Sequence, residues 1–224
     1  PSGTGLGSSS SFTVSLLHAL YSFDKKKVSP ETLAREACEI EIDILNEPIG
    51  KQDQYAAAYG GLNIIRFLKN GDVKVEPLIM EENTYNELQN NLILFYTGQT
   101  RSASLLLKNK KNNLLNEKSK FDLMIQMTDL VESAKKHLVQ SDLLSFGKTL
   151  DLNWNLKRSL SNKISNTNID DIYRVAKKNG AIGGKLLGAG GSGFMLFYCE
   201  KENQNTLRRS LKGLREFDFQ FDNI

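Results

Sequence analysis

The stretch Pro1-Ser2-Gly3-Thr4-Gly5-Leu6-Gly7-Ser8-Ser9-Ser10-Ser11 opens the chain, and its reading decides the fold. Glycines let a backbone turn with positive φ and bring its N–H groups close to an anion. From Ser8 to Tyr21 no Pro or Gly interrupts the sequence, and Phe12, Leu16, Leu17 and Leu20 recur at helical spacing. A helix that begins there points N–H groups and the positive end of its dipole at the loop. Serine hydroxyls at the junction add donors, or a ligand for a hard cation. Together these features make a cradle for a triphosphate, whereas a serine-capped tight turn would use the same residues with no ligand. Two other phosphate motifs fit less well. A Walker A loop needs GxxxxGK followed by Ser or Thr, and the Lys is absent; the dinucleotide fingerprint is GxGxxG, and this stretch is GxGxG.

Working outward, Ser29 reads as an N-cap with Pro30 at the first helical position. The helix predicted from there to about Leu45 sets Leu33, Ala37, Ile40 and Ile44 in one stripe. Its acids Glu36, Glu39, Glu41 and Asp43, taken alone, read as a solvated face. Residues 49–61, IGKQDQYAAAYGG, read as a loop. Residues 62–79 read as two strands joined at Asn70-Gly71. The polar run EENTYNELQNN at 81–91 marks a change of unit, so the expected division is 1–85 and 86–224.

In the second unit NLILFYTG (91–98) reads as a buried strand, and a mostly helical region comes next, from about Ser102 to Leu160. KNKKNNLLNEKSK (108–120) interrupts it as a solvated, mobile turn. A helix over Ile169–Asn179 ends at Gly180. GGKLLGAGGSGFMLFYCE (183–200) is strand, glycine turn, strand; then come a helix over Asn203–Arg215 and a terminal strand FDFQF (217–221). Trp154 and the leucine stripes are candidate core. The class is α+β in two units, the second built on an antiparallel sheet.

Composition narrows the function. The formal charge is +3, from 29 Lys and Arg against 26 Asp and Glu, which gives no case for nucleic acid. No apolar run approaches the ~20 residues of a membrane span, and no signal peptide is legible. Cys38 and Cys199 lack CxxC spacing and clustered His, so they read as buried thiols of a reducing, cytoplasmic setting. His18 and His137 fall within helical stretches and read as structural or surface residues.

A second glycine loop, Gly188-Ala189-Gly190-Gly191-Ser192-Gly193, does match GxGxxG. Phe194-Met195-Leu196-Phe197-Tyr198 comes after it as a strand rather than a helix, which rules out the dinucleotide reading. At this point the residues resemble a known family, the GHMP kinases. PSGTGLGSSSS resembles their second motif and KLLGAGGSGF their third. Glu41, with Asp53 a dozen positions later in GKQDQYAAAYGG, resembles the family's pair of acids. The matches span residues 1 to about 198 in the family's order. QDQYAAAYGG, TGQTRSAS and KLLGAGGSGF are most similar to the branch of heptose 7-phosphate kinases; fucokinase-like enzymes share similar strings.

The resemblance implies a GHMP two-domain fold: a partial N-terminal domain and a C-terminal ferredoxin-like α/β sandwich. It implies ATP and Mg²⁺ as cofactors. Gly3, Thr4, Gly5, Leu6, Gly7, Ser8 and Ser9 would hold the triphosphate, Ser9 and Glu41 the Mg²⁺, and Asp53 would act on the acceptor hydroxyl's proton. The acceptor would be a heptose 7-phosphate taking phosphate at its anomeric hydroxyl, in the supply of activated heptose for surface polysaccharides. A fucokinase-like enzyme acting on an unphosphorylated sugar, and a non-catalytic sugar or nucleotide sensor, are the alternatives. Glu39 is a substitute ligand, and Gln52 and Gln54 flank Asp53 as candidates to orient it. A phosphorylated acceptor needs a second anion site, for which Lys51, Arg101 and Lys185 are candidates; Gly190 and Gly191 are candidate substrate contacts. The partner is a small-molecule sugar phosphate, with no nucleic acid and no membrane, and a homo-oligomer is compatible with the sequence. The family's first motif is missing, and the opening loop has no strand before it. The expectation is therefore that part of the fold lies upstream and that these 224 residues alone have little or no kinase activity.

Overall fold

The computed structural model describes residues 5–98 and 118–221. The chain divides into two compact units. Of the described residues, the first contains 7–78 and 221, and the second contains 79–98 and 118–220 together with 5 and 6. A division at 85/86 would cut the helix Glu82–Asn91.

The first unit starts with α1 (Ser8–Phe23) and α2 (Pro30–Cys38). The Ser29 side chain accepts from Thr32 N, the cap read in the sequence. The helix does not run on regularly to Leu45. Residues Glu39–Ile44 form a π-helical segment, in which Leu45 N donates to Ile40 O, five residues back. A wider turn rotates the side chains after it away from α-helical register. Hence Ile44, expected in the buried stripe, is 64% exposed, while Glu41, expected on the solvated face, is 1% exposed. α3 (Gln52–Tyr59) replaces the predicted loop and puts Asp53 in a helical first turn. β1 (Asn63–Phe67) and β2 (Val73–Pro77) form the expected antiparallel hairpin.

Two small apolar clusters hold this unit. Val14, Leu33 and Ala37 pack with Leu17, Tyr21, Val28, Ala57 and Ala58. Ala34, Cys38 and Tyr55 pack with Ile42, Tyr59 and hairpin residues Ile65, Val73 and Val75. The α1 stripe is therefore corrected: Val14, Leu17 and Tyr21 face the cluster, while Phe12, Leu16 and Leu20 are exposed.

The second unit begins with α4 (Glu82–Asn91), the helix that the polar run forms. After β3 (Leu92–Tyr96), the described residues form α5 (Lys118–Val139), α6 (Leu143–Ser159) and α7 (Thr167–Lys178). β4 (Ala181–Leu186), β5 (Phe194–Cys199), α8 (Lys201–Ser210) and β6 (Arg215–Phe217) complete it. The sheet order is β4-β5-β3-β6 with every pair antiparallel. That is the ferredoxin-like topology. The terminal strand is shorter than read: it ends at Phe217, so most of FDFQF lies beyond it.

Helices cover one face of this sheet. Trp154, Leu160, Ile169, Tyr173 and Leu207 meet Ile93, Phe95, Met195 and Phe197 in one buried cluster. Burying such a set, at about 1.5–3 kcal/mol per large side chain, is the main favourable contribution to this unit. Both cysteines are free and buried, as read.

Candidate active site

Gly7 is the N-cap of α1. Its φ of +65° is left-handed, and it makes no side-chain cap. A Cβ there would stand 3.4 Å from Asp53 Cβ and 3.6 Å from Asp53 Oδ2, so Gly7 and the Asp53 carboxyl are immediate neighbours. Asp53 is half-buried and accepts from Gln52 Nε2 at 3.1 Å. Of the two flanking glutamines, Gln52 is the one that donates to Asp53.

The first-turn amides of an α-helix have no carbonyl one turn back to accept from them. α1 carries no acid of its own in that turn. The carboxylate there is supplied by Glu41. Its Oε1 accepts from Ser9 Oγ at 2.5 Å and Thr13 Oγ1 at 3.2 Å, and its Oε2 from Ser10 Oγ at 2.7 Å and Gln54 Nε2 at 2.5 Å. Four donors compensate a carboxylate withdrawn from water. Glu39, the alternative ligand, is exposed on the other side of the π segment. The neighbours Asp53 and Gln54 divide their tasks: Asp53 lies against the loop glycine, and Gln54 turns inward to Glu41.

The donor chemistry fits Mg²⁺. A hydroxyl and a carboxylate in contact are hard oxygens, and a cation that keeps waters and takes phosphate oxygens needs only one or two carboxylates. Gln54 Oε1, buried and without a hydrogen-bond partner, leaves a further oxygen unclaimed beside them. Among the described residues no cluster of three or more His, Cys, Asp or Glu forms a cage of another kind.

The other candidate residues are scattered over both units. Gly5 (φ +82°) packs on the second glycine loop within the second unit, where its Cβ would come within 2.7 Å of Leu187 O. Gly3, Thr4 and Arg101 lie outside the described residues. Lys51 is exposed at the start of α3 and donates to Gly71 O at 3.3 Å. Lys185 is half-buried on β4, opposite Leu196. Gly190 and Gly191 are buried; Gly191 N donates to Ile164 O and its carbonyl accepts from Asn166 Nδ2. Gly191 thus uses both its N–H and its carbonyl within the unit. His18 is exposed, and His137 Nδ1 lies 3.7 Å from Asp142 Oδ2.

Reading the sequence missed Ser10 and Thr13. The hydroxyls of Ser9, Ser10 and Thr13 at i, i+1 and i+4 were a usable signal, since that spacing sets them on one side of a helix.

Residues 1–61 match the GHMP kinases N terminal domain, and residues 131–215 match the GHMP kinases C terminal. The chain is 34% identical over 223 residues to the D-glycero-alpha-D-manno-heptose 7-phosphate kinase of Campylobacter jejuni, covering 99% of this chain and 66% of that protein. It is 27% identical to the bifunctional fucokinase/GDP-fucose pyrophosphorylase of Arabidopsis thaliana, over 97% of this chain and 21% of that protein. The solved structure of a D-glycero-D-manno-heptose 1-phosphate kinase from Bacteroides thetaiotaomicron superposes with a TM-score of 0.70 at 29% identity, over 99% of this chain and 62% of that one. The chain thus spans slightly less than two thirds of the heptose kinases it matches. With both domains of one family matched in order, the chain belongs to the GHMP kinases.

Proposed function

We propose that this chain carries the phosphate-holding and catalytic groups of an ATP-dependent sugar kinase. Its acceptor would be D-glycero-D-manno-heptose 7-phosphate, phosphorylated at the anomeric hydroxyl to the 1,7-bisphosphate. The observation that carries this reading is the buried Glu41 carboxylate under the serines of α1, with Asp53 against the loop glycine. The choice of acceptor rests on the 34% identity to a heptose 7-phosphate kinase.

Phosphoryl transfer from ATP is mainly positioning and charge neutralisation. The loop backbone and the first turn of α1 receive the phosphates. Ser9 and Glu41 would hold Mg²⁺, which when bound neutralises charge on the phosphate oxygens. Asp53, fixed by Gln52, accepts or orients the proton of the acceptor hydroxyl. That oxygen attacks the terminal phosphorus, the bond to the bridging oxygen breaks, and ADP leaves with the electron pair. Lys51, Arg101 and Lys185 are the candidates for the acceptor's own phosphate. A cytoplasmic location, where ATP is available, and a role in supplying activated heptose for surface polysaccharides complete the reading. Among the described residues no helix is long and apolar enough to cross a membrane.

The test is turnover by the full-length protein with ATP and a panel of sugars and sugar phosphates. Heptose 7-phosphate should be consumed and L-fucose not; the reverse would establish the fucokinase-like alternative. Asp53→Asn should lower the transfer rate by about 100-fold or more, and a rate within about twofold of wild type would remove Asp53 from this role.

A further inference from the structure

We infer that Lys157 is a positioning residue for the first glycine loop, acting on it through the backbone of the second. The inference rests on the proposed ATP site and adds to it a residue of the second unit.

Lys157 lies in the last turn of α6 and is only 7% exposed. Its Nζ donates to Gly188 O at 2.7 Å and to Leu186 O at 3.3 Å. Leu186 ends β4, and Gly188 lies in the turn between β4 and β5. Withdrawing an ammonium from water is costly unless its donors are used, and a lysine has three donors on a flexible stem, suited to gathering carbonyls that share no plane.

The two carbonyls turned toward Lys157 flank Leu187, whose own carbonyl faces the Gly5 backbone. A Cβ on Gly5 would approach Leu187 O to 2.7 Å, and one on Gly188 would approach Gly5 Cα to 2.5 Å. The turn is therefore held between the Lys157 ammonium on one side and the Gly5 backbone on the other. Gly188 and Gly5 are in backbone contact with no side chain between them to absorb a shift. A displacement of Gly188 must be passed to Gly5, in the loop proposed to meet phosphate.

A lysine that merely closes the end of α6 would stabilise this unit without discriminating among ligands. The experiment separates the two roles. In the full-length protein, calorimetry would measure binding of a non-hydrolysable ATP analogue with Mg²⁺, and of adenosine, which has no phosphate. Lys157→Met keeps the length of the stem and removes the charge and donors. It should weaken the analogue by about tenfold while leaving adenosine within about twofold. Lys157→Arg, which can reach both carbonyls, should recover most of the loss. Unchanged affinity for the analogue, an equal loss for both ligands, or a Met variant that fails to fold would each assign Lys157 to the core and overturn the inference. A wild-type protein that binds no ATP analogue would overturn the kinase reading, and this inference with it.

Discussion

Gln54 Nε2 donates to Glu41 Oε2 across 2.5 Å, and both side chains are shut off from water. The amide therefore compensates a buried carboxylate from inside the unit, while Ser9, Ser10 and Thr13 compensate it from α1. Glu41→Gln replaces one accepting oxygen with an NH2 group that faces donors. We expect a loss of about 1–3 kcal/mol in unfolding free energy and the loss of Mg²⁺-dependent nucleotide binding. Denaturant titration and calorimetry with and without Mg²⁺ check the two effects. A variant with wild-type stability would show that the four donors do not depend on the charge.

Gly7 joins the cap of α1 to the acid that faces it. Gly7→Ala introduces a Cβ 3.4 Å from Asp53 Cβ at a φ of +65°. The left-handed conformation costs an L-residue about 1–2 kcal/mol. The contact with Asp53 predicts a second effect, a fall in transfer rate of roughly tenfold as the carboxyl is displaced. Steady-state kinetics of the full-length variant separate this from the stability loss, because Asp53→Asn should make the Gly7 substitution nearly silent in rate.

Burial pushes the thiols of Cys38 and Cys199 up from 9.0 to about 11. For an acid whose folded pKa is raised, the stabilising contribution is intact below the unfolded pKa and lost as pH rises through the folded value. Stability should hold up to about pH 9 and then fall toward pH 11, by up to about 3 kcal/mol per thiol. Cys199→Ser should reduce that slope in pH-dependent denaturation. In the native protein at pH 8 both thiols should react slowly with alkylating reagents, and in denaturant they should react fully.

Phe12, Leu16, Leu20 and Phe23 line one exposed side of α1, with Phe12 at 68% and Phe23 at 86%. A contiguous apolar surface of this kind favours association or dye binding. The 224-residue chain should bind a hydrophobic dye and associate at high concentration. Leu16→Lys with Leu20→Glu should reduce both, as read by fluorescence and light scattering, without changing the cluster of Val14, Leu33 and Ala37 behind them.

The parts of this protein legible in its sequence are those set by short-range physics. Positive φ at a glycine, a proline at the first position of α2, the Asn70-Gly71 turn and the alternation of strands with helices all act over a few residues. So the glycine loops, the hairpin, the antiparallel second unit and the core position of Trp154 could be read directly. The family's spacing singled out Glu41 and Asp53 among many acids. What they touch was decided only by the tertiary structure. A π turn rotated Glu41 from the expected solvated face into the interior and Ile44 out of it, because one widened turn changes the direction of every side chain after it. A predicted loop became α3, which sent Gln54 inward to Glu41 and left Asp53 beside Gly7. The bond from Lys157 to Gly188 spans 31 residues. No local propensity encodes such a bond, since it exists only once the helix and the turn have packed.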